Sequence, residues 1–255
     1  MLIYCNGDSF TSGHGLGDFL LPDYPGESDD APDKLPYLAK WTANTYSASY
    51  THRHDLSKEI RQEELNRCWP TKLKKYGYGV INSAQAGSSM QRISRTTIID
   101  LIKLKQVTTD ILAIISVPPI ERSEIYYKDA WVDFSHAHLE SCDFMPHLRN
   151  LYSELLLDDA EGYASLVRWY VAAIQIKDHC KANNIPLMWV NSVNSVSAID
   201  KFKDLNNLVK YLDIKYELTM SHLKSDKGYV PDGHYSERVH DQVAHILDVK
   251  IKGMK

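Results

Sequence analysis

Four short apolar runs constrain this chain more than any other feature. They are Leu2 to Cys5, Tyr78 to Asn82, Asp110 to Val117 and Ile185 to Val190. Each has the length of a buried strand, and each ends in small polar or turn-forming residues. The third, DILAIISV, is apolar through its middle and reads as a central strand, stopped by Pro118 and Pro119. Helical patterns fill the intervals. Trp69, Pro70, Leu73 and Tyr76 mark a short helix that starts near Pro70, where proline suits the first turn, and stops at the glycines Gly77 and Gly79. Met90 to Lys105 is predicted to bury Ile93, Ile98, Leu101 and Ile102. Glu161 to Asn183 repeats Leu166, Val167, Tyr170, Ile174 and Ile176 at helical spacing, and Ser236 caps a last helix with Val239, Val243, Ala244 and Leu247 inward. Strand and helix alternating in this way predict an α/β fold, a three-layer α/β/α sandwich around a parallel sheet. Right-handed crossovers then gather the loops after the strands on one edge, where ligands bind in such sheets.

The rest of the chain fits one domain spanning 1-255, with a long insertion at about 14-57 and a cleft-bordering loop at about 118-149. The insertion has no clear period and carries Pro22, Pro25, Pro32 and Pro36; so long an irregular stretch beside a strand end is usually functional or disordered. Lys201 to Tyr216 reads as mixed helix and loop, and Leu218 to Tyr229 as a loop approaching the site. A net charge of -4 argues against a nucleic-acid footprint. No run approaches the ~20 apolar residues of a membrane helix. No leader-like segment is read at the start, so the expected location is cytoplasmic as synthesised, with association with a virus particle left open. Cys5, Cys68, Cys142 and Cys180 have no framework spacing and read as free thiols.

The candidate chemistry lies at two distant places. Asn6-Gly7-Asp8-Ser9 follows the first strand, so a small hydroxyl residue stands at its carboxyl end. By itself that is ordinary turn chemistry. Pro231-Asp232-Gly233-His234 near the other terminus supplies an acid and an imidazole. A serine hydroxyl needs such a base to take its proton, and the base needs a third group to orient it. Between them, Asn82 to Ser89 forms a glycine-bearing turn from strand to helix, where N–H groups point outward. It lacks the lysine of a phosphate loop. Glu121, Arg122 and Glu124 follow the central strand and either line the cleft or form a salt-bridged loop. His52 and His54 read as a solvated loop rather than metal ligands, and the alternating His136 and His138 as part of a substrate-side wall or of a loop packed by its own aromatics rather than a zinc site.

Gly7-Asp8-Ser9-Phe10, the Asn82 to Ser89 stretch and Asp232-Gly233-His234 together resemble the SGNH hydrolase superfamily, the GDSL esterases and lipases. The resemblance implies a flavodoxin-like parallel sheet. It implies Ser9 as nucleophile, His234 as base, Asp232 as orienting acid, and the N–H groups of Ser9 and Gly87 as oxyanion donors. It implies no cofactor and no metal. Two places depart from the family pattern. The third motif, usually Gly-x-Asn-Asp, is replaced by Ser116-Val117-Pro118-Pro119, so its asparagine donor is missing. Arg122 is the preferred substitute and Asn191 the second; the phrase from Pro119 to Glu124 resembles a variant common in bacteriophage genomes. Only Gly233 separates Asp232 from His234, where two residues are usual. His240, six residues beyond His234, is expected to support rather than react.

The expected function is a serine esterase that removes O-acetyl or another small acyl group from a carbohydrate-type substrate through an acyl-enzyme. Sixteen tyrosines and five tryptophans suit a carbohydrate-facing or protein-facing surface. The expected partners are an acylated small molecule or glycan, with a virion component or a second copy of the chain as macromolecular partner. The alternative is a protein of the same fold with weak or no catalysis that binds or builds, such as a phage virion component.

Overall fold

The computed structural model describes residues 1–20, 26, 57–127, 129–134, 162–192, 205–223, 228–229 and 234–254. In chain order these hold β1 (Leu2–Asn6), α1 (Ser9–Ser12), α2 (Ser57–Arg67), α3 (Trp69–Lys72), β2 (Gly79–Asn82), α4 (Met90–Lys105) and β3 (Ile111–Val117). Then come β4 (Ser123–Tyr127), β5 (Ala130–Phe134), α5 (Tyr163–Ala182), β6 (Leu187–Asn191), α6 (Asn206–Leu212), β7 (Tyr216–Thr219) and α7 (Glu237–Gly253). Five strands form one parallel sheet in the order β2-β1-β3-β6-β7. That is the flavodoxin-like order, and it leaves the carboxyl ends of all five strands on one edge.

The side-chain period of a strand sends neighbours to opposite faces, and β3 divides its residues accordingly. Ile111, Ala113, Ile115 and Val117 join a core with α4, α5 and α6. Leu112 and Ile114 join another with α3 and α7. All seven β3 residues are buried, as the apolar run predicts for a strand covered on both faces.

Several predictions from the sequence need correction. The loop after the central strand contains an antiparallel hairpin, β4 with β5. Leu218 belongs to a fifth strand, β7, rather than to an approach loop. Ile102 is half exposed; Met90, Ser94 and Thr97 line the inner face of α4 with Ile93 and Leu101. Ser236 occupies the N-cap position of α7, yet its side chain makes no cap bond. Residues 21–25 and 27–56 of the 14–57 insertion, and residues 135–149, lie outside the described residues, with His52, His54, His136, His138 and Cys142 among them. Cys5, Cys68 and Cys180 are buried free thiols. No described helix is long and apolar enough to cross a membrane.

Candidate active site

The turn after β1 is built by three side chains. Asn6 turns inward, and its Nδ2 lies 2.8 Å from Thr96 Oγ1, 3.0 Å from Thr97 Oγ1 and 3.1 Å from the Tyr4 hydroxyl. Its Oδ1 accepts from the N–H of Gly7 at 2.8 Å. The Tyr4 hydroxyl and Ser83 Oγ both donate to Asp100. The end of β1 is thereby tied to α4. Gly7 is required by contact rather than by backbone angle. A Cβ there would lie 2.5 Å from Thr11 Oγ1 and 2.8 Å from Ser116 Cβ. Asp8 caps α1, accepting from the Phe10 N–H at 3.2 Å.

Ser9 is the first residue of α1, so its N–H has no carbonyl acceptor within the helix. The residue is buried, and its Oγ has no hydrogen-bond partner among the described residues. Gly13 ends the helix at φ 79°, and a Cβ there would meet Glu64 O at 2.6 Å. Beneath this end Glu64 gathers three groups. It takes the Gly15 N–H at 3.1 Å, His14 at 3.4 Å and Arg61 at 3.2 Å. Arg61 also donates to Ser12 O and Ala84 O. Glu64 and Arg61 therefore join the serine turn to the loop after β2.

That loop runs beside β1. Ser83 N–H donates to Cys5 O and Gln85 N–H to Gly7 O. Gln85 to Ser88 closes a turn, with Gly87 third at φ 83°. A type II turn demands a positive φ at that position, which is why glycine stands there. The Gln85–Gly7 bond thus sets the turn that holds Gly87 beside the end of β1.

His234 arrives from the other end of the chain. Its ring lies 4.9 Å from the ring of Phe10 and 4.9 Å from that of His14. Phe10 also packs on Tyr235 at 5.1 Å, and the Tyr235 hydroxyl donates to Ser192 O. The helix that follows is anchored deeply. His240 Nδ1 accepts the Trp69 N–H at 3.0 Å, and buried Lys72 pairs with Glu237 at 2.7 Å and Asp241 at 2.8 Å. Burial, followed by the Lys72 charge, lowers the His240 pKa to about 3, so this ring is neutral and structural. Asp232 lies outside the described residues.

Arg122 comes to the serine turn as well. Its guanidinium is 3.3 Å from the fully buried Asp8 carboxylate. Burial raises the Asp8 pKa, against the pull of Arg122 and of His234. Glu124 turns the other way, to Arg95 at 2.5 Å and Arg92 at 3.8 Å. Asn191 ends β6 in register with Val117, its Oδ1 without a partner among the described residues. Two strand spacings, about 10 Å, separate β6 from β1, so Arg122, paired with Asp8, lies nearer the serine turn than Asn191 does. The sequence did not single out Asn6, Asp8, Glu64, Arg61 or His14 for these roles, because each acts through a partner far away in the chain. No group of three or more metal-ligating side chains occurs among the described residues.

Neither a protein-family model nor a curated protein matches the sequence. Solved structures similar to this chain include a G-D-S-L-family protein from Desulfitobacterium hafniense DCB-2, named as lipolytic. It is 11% identical over 97% of this chain and 98% of that one, with a TM-score of 0.45. A carbohydrate esterase whose active site has divergent catalytic and non-catalytic binding functions is 13% identical over 98% and 68%, with a TM-score of 0.47. A family 2 carbohydrate esterase with a carbohydrate binding domain, from Corynascus thermopiles (Myceliophthora fergusii), is 11% identical with a TM-score of 0.49. The alignment covers 99% of this chain and 65% of that structure's length. The strand order β2-β1-β3-β6-β7 is the flavodoxin-like one that the SGNH resemblance implies.

Proposed function

We propose that this protein is a serine ester hydrolase acting on a small acyl group, O-acetyl above all, carried by a carbohydrate. The observation that supports the reading is the packing of the His234 ring on Phe10, within the helical turn begun by Ser9, and on His14, just beyond it. The imidazole from one end of the chain thus packs on the turn that carries the buried serine from the other.

In the proposed reaction His234 takes the Ser9 proton while Ser9 Oγ attacks the ester carbonyl, and Asp232 holds the imidazole tautomer. The oxyanion is met by the N–H groups of Ser9 and Gly87 and by the Arg122 guanidinium. Collapse expels the sugar hydroxyl, protonated by His234. Water, deprotonated by the same ring, then attacks the acyl-enzyme, and the acid leaves with Ser9 restored. No metal or organic cofactor enters these steps.

A fluorophosphonate probe tests the reading. Wild-type protein is expected to label at Ser9 and to hydrolyse p-nitrophenyl acetate, and Ser9→Ala to lose about 10⁴-fold or more of that turnover. A folded protein that neither labels nor turns over would leave the second reading, a non-catalytic binding or structural protein of this fold. The engagement of Arg122 by Asp8, together with the absent asparagine, favours that second reading.

A further inference from the structure

The β4–β5 hairpin carries two large exposed rings that the proposed chemistry does not use. Trp131 and Tyr126 are cross-strand partners, with ring centroids 5.3 Å apart at 60°. Trp131 is 45% exposed and Tyr126 59%. The indole is not seated in a core. One face is covered by the Arg95 guanidinium, 4.5 Å from the ring centre. Arg95 is in turn fixed by two hydrogen bonds to Glu124, at 3.1 and 2.5 Å. Arg92 stands 3.8 Å from the same carboxylate. The Tyr126 hydroxyl donates to Asp129.

An arginine–glutamate clamp therefore holds a partly exposed indole in a set orientation. A preset ring loses little side-chain entropy on binding, which favours a stacking contact. The rim is polar, with guanidinium, carboxylate and phenol groups that match sugar hydroxyls. Two rings on a narrow hairpin offer far less area than a stable protein interface buries. The hairpin is also continuous with the candidate active site. Arg122, the residue before β4, is the one paired to Asp8, and Tyr126 lies four residues further along an extended strand, about 13 Å away. A short oligosaccharide spans that distance.

We infer that Trp131, with Tyr126 beside it, is a stacking subsite for a pyranose ring of a glycan chain whose acylated unit lies at Ser9. The inference rests on the carbohydrate reading of the site, and its test separates the two. Binding is measured in the Ser9→Ala protein, by calorimetry and by retardation in polysaccharide gels. The probes are cello-, xylo-, manno- and chito-oligosaccharides. At least one is expected to bind, and adding Trp131→Ala to weaken it about tenfold or more, as for a buried aromatic anchor. Trp131→Phe should keep most of the affinity and guards against a hairpin that has unfolded. Tyr211→Ala, which removes an exposed ring on α6, should leave binding unchanged. Binding that is absent for every probe, or equal with and without Trp131, overturns the inference. So does retention of proteins alone. Hydrolysis of p-nitrophenyl acetate by the wild-type protein reports separately on the catalytic reading. A Trp131-dependent glycan binder without that activity would keep the subsite and lose the esterase.

Discussion

Two groups of buried polar atoms share the carboxyl edge of the sheet, and they are treated in opposite ways. Asn6 is saturated, bonded to Tyr4, Thr96, Thr97 and the Gly7 N–H. Ser9 Oγ, Thr11 Oγ1, Ser116 Oγ and Asn191 Oδ1 have no partner among the described residues. Most buried polar atoms in proteins are paired, so unpaired ones mark places kept for something else. The contrast separates framework from working surface within a few residues of one strand. Asn6 holds the turn, whereas the hydroxyls and the amide beyond it are buried without such ties.

The largest effect expected on the framework side comes from His240. Its folded pKa, about 3, lies below the ordinary value of 6.5. Above pH 6.5 both folded and unfolded chains hold it neutral, and its contribution is complete. As pH falls from 6.5 to 3 the unfolded chain takes up a proton that the folded one refuses. Stability should drop by about 1.4 kcal/mol per pH unit from this group, then level off. Denaturant titrations of wild type and His240→Asn across that window should show the variant gaining relative stability as the pH falls. Parallel curves would remove His240 from the framework.

Next is the pair that joins the two groups. Arg122→Gln should cost about 3 kcal/mol of stability at neutral pH, because it leaves the Asp8 carboxylate buried alone. Adding Asp8→Asn should restore most of that, since asparagine can still cap α1. Turnover should stay about 10²–10³-fold down in the double variant if Arg122 serves the oxyanion. Recovery of turnover along with stability would reduce Arg122 to a structural ion pair.

Asn6→Ala should cost about 2–3 kcal/mol, as several buried groups lose their partner together, measured by urea unfolding. Ser116→Ala should not destabilise, because it removes a buried hydroxyl that has no partner among the described residues. Equal costs for the two would erase the distinction between them.

The sequence made the sheet legible because β3 and β1 are continuous apolar runs, and its strand order was implied by the family resemblance. It marked Ser9, Gly87 and His234 as candidates because each stands in a short motif at a strand or helix end, and the structure brings the His234 ring to the turn that carries Ser9. What it hid was either weakly patterned or long-range. β7 reads Tyr-Glu-Leu-Thr, half-buried at the sheet edge, with too little apolar content to separate it from a loop. The hairpin mixes charge and aromatics, and Arg95 of α4 meets it through Glu124 and Trp131. Glu64 sits in a largely polar helix, and its partners Gly15 and His14 are some fifty positions earlier. No periodicity reports such a pairing.

The close approach at Gly7 has a consequence for mutational tolerance. With Thr11 Oγ1 and Ser116 Cβ both inside contact distance of any added Cβ, the turn and the central strand admit no larger residue there. Gly13 is held likewise by a backbone carbonyl and a left-handed φ. A library randomised from Gly7 to Gly13 and sorted only for folded protein should therefore return glycine at both ends. Ser9, between them, should drift freely under that sort and be recovered only when survival depends on turnover.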